Sequence, residues 1–525
     1  MARYAAVDIG SNSVRMLAAE VIQDAPPRIL ASERQVTRLG ESVFRTGRIS
    51  PESIALVCGV LSNMAAIYKR LDVSTVRAVA TAAVRDASNQ LEFVARASAA
   101  LGNEIEVISG QEEARLIHLG VRSLWPHPKE RFLIVDIGGG SAEIIVSDSD
   151  RIGQAWSKPL GALRLQGLFL RKDPPDPGAL HQLEEYIDER IGPAVQRIGQ
   201  MRIDRVIGTS ATASAVVSAI NRIPRARREE ADRMRATTPE IRRLYRDVST
   251  MDLRRRQSIT GIGPRRAEII VPGTAVLLRL LESLSMPALY YSAAGVRDGI
   301  IADLAARSSG ELSQLSPDQR RVVEAMAEHY GVPIKHAKTA ARLATSLFAA
   351  FQSAHKLAPQ YGRLLEASAY LHDIGHYVSD TRHHKHSYYL VSNSDMPGFT
   401  KIERDIVANL CRYHRKALPA AEHSNLHSMD AESKRAVILL MPLLRLADSL
   451  DRSGEQRVRT VQCAVLPNEF RITLIPAAPD TVAPDTAEGC DVDLEIWAAE
   501  QLKDIFQQVY GKSLTVVPSP VYSET

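Results

Sequence analysis

Apolar and polar positions along the first 125 residues trade strand-like runs for helical spacing and back again. The stretches "YAAVDIG", "VRMLAAEVI" and "RILASERQVTRL" read as successive strands of a meander. "SPESIALVCGVLSNMAAIYKRL" switches to helical spacing, with Ser50 as N-cap and Pro51 in the first turn. "TVRAVATAAVRDA" is a strand entering a turn and helix, and "EIEVISGQEEARLIHLGV" is a strand, a Gly turn and a helix. A Pro-rich break, "WPHPKE", follows at residues 125–130. The texture then restarts with "RFLIVDIGGGSAEIIVS" and runs to about Arg307, through "RVIGTSATASAVVSAI" and "ALYYSAAGVRDGIIADLAAR". Alternation of this kind predicts α/β layers. From Pro317 to about Arg452 the period is helical throughout, with clustered histidines. "VRTVQCAVLPNEFRITLIP" and "CDVDLEIWAAEQLKDIFQQVYG" then read as strands followed by a helix. A Pro/Ala/Thr-rich loop at 476–488 interrupts them, and the terminal "PSPVYSET" is expected to fray. The expected domains are 1–125, 126–307, 315–455 and a small α+β domain at 456–525.

The two α/β stretches begin alike, with strand–Asp–Ile–Gly. After Asp8 come Gly10, Ser11, Asn12 and Ser13; after Asp136 come Gly138, Gly139, Gly140 and Ser141. Such turns offer backbone N–H groups and short hydroxyls with no bulky side chain in the way of an oxyanion. Either turn alone fits an ordinary hairpin, whereas two copies point to a duplicated phosphate-handling device.

The pair resembles the two phosphate loops of the actin, sugar-kinase and chaperone-ATPase superfamily, in which two ribonuclease-H-like lobes clamp phosphates. More narrowly, "VDIGSNSVRM", "SGQEEARLIHLGV", "VDIGGGSAEI", "GTSATASA" and "AAGVRDGI" resemble, in that order, the exopolyphosphatase / guanosine pentaphosphate phosphohydrolase family. The resemblance covers about residues 4–305, and the histidine-rich region resembles the family's longer members. It implies an α/β fold class of two ribonuclease-H-like lobes, then an all-α HD-type domain and a small α+β domain. It also implies an exopolyphosphatase that releases orthophosphate from the end of inorganic polyphosphate, and hydrolysis of guanosine pentaphosphate as a second activity. A homodimer is implied by resemblance only.

Glu112 and Glu113 open a helix after Gly110, and adjacent helix positions point roughly 100° apart, so one of them faces the cleft. The resemblance places the water-activating base at Glu113. Asp8, Asp136 and Glu143 supply oxygens suited to Mg²⁺ or Mn²⁺, and Arg85 resembles the family's phosphate-gripping arginine. Gly208, Thr209 and Ser210 form a third small-residue turn expected to flank the substrate. Arg266 and Arg15 are further contacts to phosphate or nucleotide. The arginine-dense stretch from Asn221 to Arg256 reads as a solvated helix face or as a rail for a polyanion. RNA binding fits less well, because few aromatics interleave the arginines.

His336, the His372–Asp373 pair and Asp448 follow the order seen in HD-type metal-dependent phosphohydrolases, a set that suits a second divalent metal. His376, His383, His384, His386 and His414 add to the density. In the resembling enzymes hydrolysis belongs to the two-lobed part and the HD region is often degenerate. Structural use, a bound metal without chemistry and a second active site all remain open here.

Composition narrows the rest. The 525 residues exceed a single core, and 45% hydrophobic with 24% charged residues is the balance of a globular protein. A net charge of +4 suits anionic ligands. Four cysteines, Cys58, Cys411, Cys463 and Cys490, show no paired spacing, and the amino terminus enters a strand at once. Both features predict a cytoplasmic setting, and no apolar run is expected to reach the ~20 residues of a membrane span. Two readings of other classes compete: an ATP-dependent kinase or ATPase on the same lobes, and a non-catalytic nucleotide sensor.

Overall fold

In the computed structural model, residues 2–22, 25–125, 130–148, 151–308, 313–420, 422–427, 429–477 and 492–519 are described. Most of the Pro-rich break, most of the 476–488 loop, Cys490 and nearly all of the terminal segment lie outside them. Two compact units are present, Met1–Ala305 and Ala306–Thr525.

Strands β1 (Ala2–Ile9), β2 (Ser13–Val21) and β3 (Arg28–Val36) form the antiparallel meander that the sequence predicts. Strands β4 (Thr75–Ala80) and β5 (Ile105–Val107) join on the other side of β1 in parallel, giving the order β3-β2-β1-β4-β5. The second sheet repeats this plan. Strands β6 (Arg131–Ile137), β7 (Ala142–Asp148) and β8 (Arg151–Lys158) form the meander, and β9 (Arg205–Thr209) lies parallel to β6. Antiparallel β10 (Arg235–Thr237) borders β11 (Ala288–Tyr291), so the order is β10-β11-β9-β6-β7-β8. Strands β6 and β7 are buried along nearly their whole length, which explains why they read as continuous apolar runs.

The Pro51–Arg70 helix starts as its sequence dictates: the Ser50 hydroxyl accepts the Ser53 N–H at 3.2 Å. It buries Ile54, Val57, Leu61 and Met64 in the core of the first sheet. Among the described residues it is also long and apolar enough to cross a membrane, with a mean hydropathy of 1.3, which corrects the expectation that no run would qualify. Its apolar stripe is already committed to the sheet.

Two helices join the repeats at a close crossing. A methyl on Gly120 of the Gly110–Leu124 helix would lie 2.2 Å from the Gly295 carbonyl oxygen. One on Gly299 of the Val296–Ser308 helix would lie 1.8 Å from that of Leu116, so the two backbones touch only because both residues lack a side chain. A buried ionic network locks the same place. Arg77 of β4 donates to Asp303 at 2.9 Å, Glu112 at 3.0 Å and Glu106 at 3.1 Å. Arg115 donates to both oxygens of Glu112 at 2.7 and 2.9 Å and to Asp303 at 3.0 Å. Glu112 is thereby consumed in structure, while Glu113, one position on, faces elsewhere.

In the second unit a series of helices, from Pro317–His329 to Ala431–Ser449, precedes a three-stranded sheet. Its strands are β12 (Val458–Val465), β13 (Glu469–Pro476) and β14 (Ser513–Pro518). Strand β14 runs parallel to β13 after the short helices Asp493–Glu500 and Lys503–Tyr510, a strand the sequence reading did not include. Only Leu514 and Val516 of its six residues are buried, too few to stand out beside the proline-rich tail. Helices and sheet share one core: the Phe351 ring lies tilted against Phe470 at 4.5 Å and edge-to-face with Phe506 at 5.9 Å.

Candidate active site

The two glycine turns have the same construction. In β1–β2, Ile9 pairs with Val14 and Gly10 N–H donates to the Ser13 carbonyl at 3.1 Å. In β6–β7, Ile137 pairs with Ala142 and Gly138 N–H donates to the Ser141 carbonyl at 3.0 Å. Each turn also directs its carbonyls into its own lobe. Ser11 O accepts from Gly40 N–H at 2.7 Å, and Asn12 O accepts from Thr37 and Arg38. Gly138 O accepts from Ala162, and Gly139 O from Leu163 and Arg164, all at 3.0 Å. In a trans peptide the next N–H points the opposite way, so the amides on both turns face out of their lobes. They face each other: a methyl on Gly139 would lie 3.1 Å from Ser11 Cβ and 3.2 Å from Asn12 N, and one on Gly140 would lie 2.6 Å from Ser11 Oγ. A side chain at 140 would have to displace Ser11, Phe44 and Ala82, and one at 139 would press on residues 11 and 12. Arg164 adds a tie between the lobes, donating to Gly140 O at 2.8 Å and pairing with Asp86.

Four carboxylates converge beside these turns. Asp8 and Asp136 occupy equivalent positions one residue before the last pair of each hairpin. Their cross-strand partners differ, being Arg15 for Asp8 and Glu143 for Asp136, which breaks the symmetry. Burial pushes the Asp136 carboxyl up to about 6, against the pull of Arg15 and a Ser210 hydrogen bond. Burial and then the Asp136 charge push Glu143 up to about 7, although Ser157 donates to it at 2.8 Å. Asp8 is raised by burial against Arg15 and Arg297. Burial also raises Glu113 well above the usual range, and the charges of Glu143, Asp8 and Asp136 add to it. Arg85 opposes this, 3.6 Å from Glu113 Oε2 and itself held by a 2.7 Å hydrogen bond to Ile108 O. Glu113 Oε2 is buried and accepts no hydrogen bond. Four mutually repelling oxygen donors with an orphaned atom among them fit a hard divalent cation.

A pH dependence follows. Raised carboxyl values mean that stability is fully present below the unfolded value and is lost as pH rises through the folded one. For Glu143 that window runs from 4.5 to about 7. In chelator, wild-type melting temperature relative to Glu143→Gln should fall across this window, and the stabilisation by added Mg²⁺ should grow across it. Thermal melts with and without Mg²⁺ check this; a cation effect that is flat or largest at low pH would contradict it.

A belt of guanidinium groups borders the carboxylates. Arg34 is pushed down to about 9 by burial and by Arg15, Arg266, Arg228 and Arg225. Arg266 is lowered to about 10 by burial and Arg15, and Arg297 is lowered by burial and Arg15. Arg15 and Arg266 are among the sequence-predicted contacts; Arg34 and Arg297 are not. A signal existed for Arg34: it lies opposite Arg15 across β2 and β3, and like charges so placed are destabilising unless an anion joins them. The arginine-dense stretch divides its work. Arg225 and Arg228 face the belt, Arg227 pairs with Glu230 at 2.6 Å, Arg242 pairs with Glu282 at 2.7 Å, and buried Arg256 pairs with Asp173.

In the third predicted turn, Ser210 belongs with the site: its hydroxyl donates to Ile137 O at 3.0 Å, next to Asp136 in β6, and it helps to pull the Asp136 carboxyl down. Its φ of 70° is unusual for a side-chain-bearing residue and marks local strain. Gly208 is packed under Leu289 and Ala213, and the Thr209 hydroxyl donates to Ala294 O, so both serve the lobe interior. In the second unit, donor atoms of His336, His372, Asp373 and Asp448 lie within 4.8 Å of one another.

Comparison with known proteins fits this geometry. A profile of the Ppx/GppA phosphatase family matches residues 17–308, and one of Ppx/GppA phosphatase, domain III, matches residues 319–483. The chain is 26% identical over 476 residues to guanosine-5'-triphosphate,3'-diphosphate pyrophosphatase of Photobacterium profundum, covering 90% of this chain and 92% of that one. It is 28% identical over 450 residues to the protein of the same name from Aliivibrio fischeri, covering 85% and 86%. Among solved structures, the Aquifex aeolicus Ppx/GppA family member superposes with a TM-score of 0.51 at 26% identity, over 58% of this chain and 98% of that one. An exopolyphosphatase from Cytophaga hutchinsonii superposes with a TM-score of 0.53 at 25% identity, over 58% and 98%.

Proposed function

This chain belongs to the Ppx/GppA phosphatase family, and we propose that it hydrolyses the terminal phosphoanhydride of guanosine 5'-triphosphate 3'-diphosphate, releasing orthophosphate. Phosphohydrolase chemistry comes with the family. The choice of substrate is supported by relatives of that name aligning over most of both chains, second unit included. Inorganic polyphosphate, first in the sequence reading, becomes the second substrate, and the arginine belt suits any polyphosphoryl chain.

The observation that carries the mechanism is the buried Glu113 carboxylate, with an unbonded oxygen, beside two facing turns. A water hydrogen-bonded to Glu113 attacks the terminal phosphorus in line with the bridging oxygen; its proton passes to Glu113 as the anhydride P–O bond breaks. A base raised toward neutrality suits this transfer. The amides of residues 11–13 and 139–141 and the Arg85 guanidinium receive the phosphoryl oxygens, whose charge spreads during transfer. Asp8, Asp136 and Glu143 would hold Mg²⁺ or Mn²⁺, which when bound neutralises phosphate charge. No enzyme side chain is phosphorylated.

The test is phosphate release by the full chain with Mg²⁺ on guanosine pentaphosphate, long polyphosphate and ATP separately. The proposal expects the highest kcat/KM on the nucleotide pentaphosphate. Preference for polyphosphate would reverse the ranking, preference for ATP would favour an ATPase, and binding without turnover would favour a sensor.

A further inference from the structure

The carbonyls of the second glycine turn are taken up one after another by the helix that follows it. Gly138 O accepts from Ala162 N–H, and Gly139 O accepts from Leu163 and Arg164 N–H. These are amides of the first turn of the Ala162–Phe169 helix, which have no partner within their own helix. For Gly140 O the donor is a side chain, Arg164 Nε, at 2.8 Å. The peptide between 140 and 141 is trans, so holding that carbonyl fixes the Ser141 N–H on the opposite side, toward the cleft.

The same guanidinium has two further partners, and both belong to the first lobe. Its Nη2 pairs with Asp86, the residue that follows Arg85 and caps the Ala82–Arg85 helix. Its Cζ lies 4.0 Å from the centre of the Phe44 ring. Phe44 sits on the Leu39–Thr46 helix, whose Gly40 N–H holds Ser11 O of the first turn at 2.7 Å. The Phe44 ring packs against the cores of both sheets, and a methyl on either Gly40 or Gly140 would come within 2.6 Å of it. One planar group therefore touches the backbone of the second turn, the helix that seats the first, and the residue beside Arg85. The Arg164 side chain is 18% exposed, so solvent screens these contacts only in part. An edge for the carbonyl, an edge for the carboxylate and a flat face for the ring occur together in arginine. A lysine ammonium supplies a point charge without the fork or the face.

We propose that Arg164 is a positioning residue for the hydrolysis, aligning the Ser141 amide and Arg85 on one phosphoryl group by tying both to a single guanidinium. It acts through those two groups and through the spacing of the turns. The inference rests on the phosphohydrolase reading of this site. It holds for either substrate, because guanosine pentaphosphate and polyphosphate end in the same anhydride. Contacts that strengthen in the transition state lose most when they are displaced, so the loss falls on kcat more than on KM.

Full-length wild type, Arg164→Lys and Arg164→Gly with Mg²⁺ are compared on guanosine pentaphosphate and on long polyphosphate. Both variants should lose about 10²-fold in kcat, with KM little changed. Millimolar guanidinium ion, well below denaturing concentration, should restore kcat of Arg164→Gly saturably. Ammonium at the same ionic strength should not, and Glu113→Gln should respond to neither. Orthovanadate, whose oxygens stand in for those of the transferring phosphoryl group, should bind Arg164→Gly more weakly by calorimetry and recover with guanidinium. Wild-type kcat in both variants, a change in KM alone, or a loss in folded Arg164→Gly that guanidinium restores no better than ammonium would each overturn the proposal. Wild-type preference for polyphosphate, or turnover of neither substrate, would count against the proposed function alone, and the vanadate comparison would still decide for or against Arg164.

Discussion

Glu113→Gln is expected to lower kcat on guanosine pentaphosphate by about 10²–10⁴-fold, with substrate binding largely kept. The amide keeps the shape of the side chain and removes its basicity. It also removes one charge from a group of four carboxylates in which burial first, and mutual repulsion second, raises Glu113, Glu143 and Asp136. The variant should therefore melt no lower than wild type in the absence of divalent cation, as expected where function is kept at the expense of stability. Glu112→Gln provides the contrast. Its carboxylate, pushed up by burial but held below the usual range by Arg115 and Arg77, is part of the ionic network. That change should lower stability, with a smaller effect on kcat in the protein that remains folded. Steady-state kinetics and melts on the two variants separate the roles; normal turnover in Glu113→Gln would remove it as the base.

Arg77→Met should cost about 3–5 kcal/mol of unfolding free energy, because removing one member of a buried ionic group leaves the others uncompensated. Arg77 has a side chain 4% exposed and contacts three carboxylates, Glu106, Glu112 and Asp303. Without it Arg115 alone must serve Glu112 and Asp303, and the helix that carries Glu113 loses its tie to β4. Denaturant unfolding measures the loss. A change below about 1 kcal/mol, the range of a surface ion pair, would show that the network is hydrated or dispensable.

What could be read from the sequence was local. The hairpin turns, with Asp8 and Asp136 at matching positions, lie within single strand–turn–strand segments, where the order of residue types fixes the geometry. The helix after Gly110 was legible for the same reason, but the division of labour between Glu112 and Glu113 depends on Arg77 and Asp303, far away in the chain. Arg34 and Arg297 escaped notice because they reach the cleft from β3 and from the Val296–Ser308 helix, each an ordinary arginine in its own segment. His383 and His414 were noticed only as part of a dense histidine region; their pairing across Asp373 needs two helices brought side by side. The apolar Pro51–Arg70 helix shows the opposite error, in which composition suggests less than the segment contains and packing decides its use.

Hydrolysis of guanosine pentaphosphate in heavy-oxygen water addresses the central claim most directly. Direct attack by a Glu113-activated water predicts orthophosphate carrying one solvent-derived oxygen, formed together with the nucleotide shortened by its 5'-terminal phosphate, and almost none of either from Glu113→Gln. Pyrophosphate as the product, orthophosphate without the heavy label, or equal yields from the two proteins would contradict it.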